Sequence, residues 1–159
     1  MADDLAQLQS PPSPEDPQQQ AEYFIQLIDA FAQQGTPEAQ KIRSGLVELV
    51  TRYRDAEDKT AALGEAKQRL AALEVGTAEL LLSSTRKIYE KFKQQSRQMG
   101  TGSPAGKSIR AAAEGFGKVV EAMETMVDGA RKGDEDIKKR AQELLSEAHQ
   151  RLSSIQNHN

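Results

Sequence analysis

The sequence predicts an all-α fold: an elongated antiparallel helical bundle or coiled-coil hairpin of four to five helices, behind an N-terminal tail. Three observations carry that expectation. Apolar residues recur three and four positions apart through most of the chain, the period of one helix face. Alanine is the commonest apolar residue, with 21 copies, and it favours helix while burying little area. No run has the composition of a strand.

Residues 99–108 read MGTGSPAGKS, three glycines and a proline in ten positions. That is a turn, and the rest of the chain is organised around it. The arm 37–98 should fold back at this hinge onto 105–156, with a helix over 17–34 packed across as a further member. The expected layout is a disordered acidic, proline-rich tail over 1–16 and a single helical-bundle domain over 17–157.

In residues 1–16, MADDLAQLQSPPSPED holds three prolines and four acids. Such a segment buries too little apolar surface to offset the entropy of ordering it. Leu5 and Leu8 would share one face if a short docking helix formed there. The first helix has Asp16 as N-cap and Pro17 at its first position. Phe24, Leu27, Ile28 and Phe31 form its apolar stripe, and Gln34-Gly35 ends it. That stripe suits an intramolecular contact or a docking face for a partner. Seven acids and no Lys or Arg precede Lys41, so the N-terminal quarter is an acidic block.

The second helix restarts at Thr36-Pro37, with Glu38 where the helix dipole favours an acid. Its stripe is Ile42, Leu46, Leu49, Tyr53, Ala56, Leu63 and Leu70, a repeat suited to coiled-coil packing. The pattern thins over 54–68 and resumes in a shifted phase at Ala66, Leu70, Leu73, Thr77 and Leu80. Residues 37–98 therefore read as one long helix, kinked near Gly76, or as two. Its last part carries Leu81, Ile88 and Phe92, flanked by Leu82 and Tyr89. Arg86, Lys87, Lys91, Lys93 and Arg97 lie on other faces, opposed only by Glu79 and Glu90. This is the most basic segment of the chain, and it reads first as a solvated face that balances the acidic N-terminal block, next as a basic amphipathic helix for an anionic membrane or partner, and last as a nucleic-acid contact.

Gly106-Lys107-Ser108 ends like a phosphate-binding loop of the form G-x-x-x-x-G-K-[ST]. Thr101 stands where that motif needs its first glycine, and no strand precedes it, so no nucleotide is expected. Ser103 and Ser108 are the candidate caps for the next helix, over about 105–131. Ile109, Ala112, Ala113, Phe116, Val119, Val120, Met123, Met126 and Val127 form its stripe. Gly115 and Gly117 would admit a neighbouring helix at close range. Its acids Glu114, Glu121, Glu124 and Asp128 lie away from the stripe and include no Glu-x-x-His, so no metal is expected. A break at 129–133 and a cap at Asp134 open the last helix. Ile137, Ala141, Leu144, Leu145, Ala148, Leu152 and Ile155 form its stripe, with His149 at the stripe's edge and His158 near the chain end.

Composition narrows the function. There is no Cys, which removes disulfides, zinc thiolates and cysteine nucleophiles. No apolar run approaches the roughly 20 residues of a membrane span, and the first residues are acidic rather than signal-like. A cytoplasmic protein is the expectation, with signal-less export still open. Leu, Ile, Val and Phe number 31 of 159, so the core is thin and association with another chain would relieve it.

No constellation for catalysis or cofactor binding stands out, and neither an enzymatic activity nor a cofactor is expected. The reading is a non-enzymatic helical adaptor or scaffold module acting through amphipathic faces on another protein or on itself. The alternative is an amphipathic protein of an anionic membrane or granule surface; a nucleic-acid partner is disfavoured. Phe24, Leu27, Phe31, Leu81, Arg86, Lys87, Ile88, Lys91, Phe92, Lys93 and Arg97 are the candidate interaction residues.

Overall fold

A computed structural model describes residues 16–32, 36–99 and 102–157, and their side chains as far as 154. The described residues form five helices and no strand, an all-α helical bundle. They are α1 Pro17–Phe31, α2 Pro37–Asp55, α3 Lys59–Gln98, α4 Pro104–Lys132 and α5 Glu135–Asn157. The tail over 1–15, with Leu5 and Leu8, lies outside the described residues, as do Gln34-Gly35, Gly100, Thr101 and His158.

Each helix starts where a short polar side chain can accept from the unpaired amides of a first turn. The Asp16 carboxylate accepts from the backbone N–H of Gln18 and Gln19 at 3.0 and 3.2 Å. Thr36 Oγ1 accepts from Ala39 N–H, and Ser103 Oγ from Gly106 N–H. Asp134 Oδ1 accepts from Asp136 and Ile137. Pro17, Pro37 and Pro104 each follow a cap, where a missing N–H costs nothing. Gly133 ends α4 at φ +64°, in the left-handed region that glycine reaches without strain.

The arm 37–98 is two helices, and the break is not at Gly76. Chain direction reverses at residues 56–58. The Asp58 carboxylate accepts from Thr60 and Ala61 N–H to start α3, and Lys59 Nζ donates to the terminal carbonyls of Tyr53 and Arg54. The thinned apolar pattern over 54–68 spans this turn and the largely exposed first turns of α3. Gly64 and Gly76 lie inside α3, which continues through both.

The partners across α2 and α3 fix their relation. Gly76 lies by Ile42 and Gly45 by Leu73, while Arg69 and Arg52 reach Glu48 and Glu65. Numbers rise on one helix as they fall on the other, so the pair is antiparallel. The same holds for α3 and α4, through Glu79–Arg131, Arg86–Glu124 and Phe92–Phe116. For α4 and α5 it holds through Gly115 with Leu152 and Gly129 with Ile137 and Lys138. The helix α1 packs on α2 and α3, tied by Asp29 to Arg43 at 2.8 Å.

The stripes meet in one core. Leu27, Ile28, Leu46, Leu49, Leu81, Met123 and Leu145 are all but sealed from solvent. Phe92 stacks on Phe116 at 5.1 Å, and Phe31 meets the same ring edge-on at 6.5 Å. One ring thus links α1, α3 and α4. Thr77 and Thr85 are buried in α3, and their hydroxyls donate back to the carbonyls of Leu73 and Leu81. Gly115 and Gly117 work on two different neighbours. A Cβ at Gly115 would lie 2.6 Å from Leu152 of α5, and one at Gly117 would lie 3.2 Å from Tyr89 of α3. Their small size lets both helices seat against α4.

Candidate interaction surface

The eleven candidate residues divide by burial. Phe24, Leu27 and Phe31 belong to the core, and Leu81 has no exposed surface. Ile88 and Phe92 are half-buried against that core. All six make intramolecular contacts, and only Ile88 and Phe92 keep part of their surface open. Among the described residues Val47 on α2 is the one large hydrophobic left exposed, at 39%.

The charged candidates stay at the surface. Arg86 pairs with Glu124 across α3 and α4 at 3.4 Å. Lys93 lies over the Tyr89 ring at 5.6 Å and makes no ion pair among the described residues. Lys87, Lys91 and Arg97 are exposed and make no ion pair among the described residues. Most other cations are paired: Arg43 with Asp29, Arg52 and Arg69 with Glu48 and Glu65, Arg131 with Glu79, Lys138 with Glu74. The acids of α4 are engaged as well, Glu121 with Lys118 and Asp128 with Lys132.

Folding adds residues that the basic helix alone did not suggest. The antiparallel order brings the C-terminal end of α3, the N-terminal end of α4 and the C-terminal end of α5 to one end of the bundle. Lys107 and Arg110 of α4 therefore join Lys91, Lys93 and Arg97. Arg151 of α5 lines a shallow groove with Ala111, Glu114, Gly115 and Glu147. The sequence does carry a signal for this cluster: residues 91–113 hold five Lys and Arg and no acid. Over 87–114 there are six cations against Glu90 and Glu114, a net of +4 in a chain of net −3. The glycine-rich hinge at 99–108 lies between Lys107 and the cations before it in sequence. In the fold Gly106, Lys107 and Ser108 are simply the first turns of α4.

Three groups elsewhere are perturbed. Burial pushes the Tyr23 phenol far above its usual range. Burial opposes charge on Lys138, but bonds to Glu74 at 3.1 Å and Glu135 at 3.2 Å outweigh it and raise its pKa. A hydrogen bond and charge attraction from Asp29 raise the exposed Arg43, with a small opposing effect of burial. Gln26 Oε1 and His149 Nδ1 are buried without a hydrogen-bond partner among the described residues. No group of three His, Asp or Glu side chains among the described residues could hold a metal ion. No described helix is long and apolar enough to cross a membrane.

Comparison with family models, curated proteins and solved structures finds no match.

Proposed function

We propose that this chain is a non-enzymatic helical interaction module that presents charge, rather than apolar surface, to an anionic partner. The contact surface is the basic end formed by α3, α4 and α5. One observation carries the reading: Lys91, Arg97, Lys107 and Arg110, gathered towards one end, make no ion pair among the described residues, whereas the other unpaired cations, such as Lys41, Lys67 and Lys139, are scattered over α2, α3 and α5. Unmatched cations gathered at one end of the bundle raise the local potential, an arrangement that an incoming anionic surface relieves. The apolar residues expected to dock a partner are buried within the chain, so the proposal moves from stripe to charge.

Titration with polyglutamate at low salt tests this. The full chain should bind, with affinity that falls steeply as salt screens the contact. The variant Lys91→Glu/Arg97→Glu/Lys107→Glu should lose at least about tenfold, since each lost or reversed contact weakens a surface attraction. Undiminished binding by that variant would place the contact elsewhere.

A further inference from the structure

We propose that the basic end docks on an anionic lipid bilayer by charge alone, without insertion, with Lys91, Lys93, Arg97, Lys107, Arg110 and Arg151 as the contact residues. This rests on the reading above and names the partner of the same surface.

The chemistry of the patch favours lipid over the other polyanions. A protein interface draws its affinity from a few buried aromatic or apolar anchors within a polar rim. This end has none to give. Phe92 is committed to Phe116, Tyr89 lies against Gly117, and Val47, the exposed large hydrophobic, is on α2. Isolated ion pairs at an exposed surface add little to a protein contact. Single-stranded nucleic acid asks for free aromatic platforms on which bases stack, and the nearby rings are occupied. An anionic leaflet asks for neither anchor nor platform. It presents a continuous negative potential, and clusters of four to eight Lys and Arg bind it, each cation multiplying affinity about fivefold.

Among the described residues the counter-charges at this end are few. Glu90, Glu114 and Glu147 are the acids on the three elements at this end, and none is paired with the six cations. The long side chains of Lys91, Arg97, Lys107 and Arg151 are exposed and can reach phosphate while the helices stay packed. Because the apolar stripes are already buried against each other, the bundle has nothing to gain by opening at the surface. Its helicity should be the same on and off the membrane. An amphipathic helix that folds only on lipid behaves in the opposite way.

Co-sedimentation of the full chain with vesicles tests this. One set is phosphatidylcholine alone; the other contains about one third phosphatidylserine. Binding is expected only to the anionic vesicles, reversed by salt, with an unchanged helical circular dichroism signal. Lys91→Glu/Arg97→Glu/Lys107→Glu should lose at least about a hundredfold, three cations at about fivefold each before the repulsion of the new carboxylates. A control variant with Lys41→Glu, Lys67→Glu and Lys139→Glu, away from this end, should bind like the parent. Equal binding to neutral vesicles, a rise in helicity, or equal losses in both variants would overturn the proposal. So would tighter binding to a nucleic-acid duplex than to the vesicles in competition. If polyglutamate binds at the basic end and vesicles do not, the lipid assignment fails while the interaction-module reading stands. If neither binds, both fail.

Discussion

The stripe of α1 and the basic flank of α3 look equally available in the sequence, and the fold treats them in opposite ways. Phe24, Leu27 and Phe31 have the spacing of a docking helix, yet they close onto the chain's own core. Lys87, Lys91 and Arg97 look like an ordinary solvated face, and they make no ion pair among the described residues, where ten of the 21 Lys and Arg find an acid. Apolar periodicity states that a face is buried and is silent about what buries it. Charge imbalance over a window is a separate signal, because cations with few acids three or four positions away have few partners within reach on their own helix.

Mutations can break this contrast from either side. The largest effect is expected at Leu81→Asp, which puts an unpaired carboxylate into a sealed position. It should cost about 4 kcal/mol or more, enough to unfold the chain in a denaturant titration. Phe116→Ala removes the ring shared by Phe31 and Phe92 and should cost about 3–5 kcal/mol by the same measurement. Gly115→Ala drives a methyl group into Leu152 and should cost about 1–3 kcal/mol. Gly64→Ala on the same scale has open space and gains up to about 1 kcal/mol from helix propensity. On the charged side, Lys91→Glu/Arg97→Glu should leave stability within about 0.5 kcal/mol. A large loss there would mean that the basic flank holds the fold together.

Alkaline pH sharpens the buried side. The raised Tyr23 phenol and the raised Lys138 amine both keep their protons longer in the folded chain than in the unfolded one. The unfolded state therefore binds fewer protons above its own pKa, near 10 for tyrosine. The stabilisation is whole below that pH and declines as pH rises through the folded values, by up to about 1.4 kcal/mol per unit for each group. Tyr23→Phe should flatten the decline in melts taken between neutral pH and the alkaline limit. An unchanged slope would mean that Tyr23 is not sealed.

The fold was largely legible from the sequence because its signals are local. Asp16-Pro17, Thr36-Pro37, Ser103-Pro104, Asp134 and Gly133 mark helix ends by backbone chemistry that neighbours do not alter. The turn at 56–58 has a weaker local signal, because Asp58 has no proline after it and Gly76 is the more conspicuous helix breaker. Gly76 only makes room beside Ile42. The candidate surface was half legible. The cations of α3 are contiguous in sequence, whereas Arg151 joins them only because α5 folds back along α4. The destination of the apolar stripes was not legible, since a buried partner and a buried neighbour leave the same period.

The central claim is that the stripes are satisfied within one chain. Thermal melts of the full chain over a hundredfold dilution test it directly. If the core closes on itself, the midpoint and the helicity below it should not move with concentration. A midpoint that falls on dilution would mean that a second copy completes the core, and that the apolar faces belong to an interface after all.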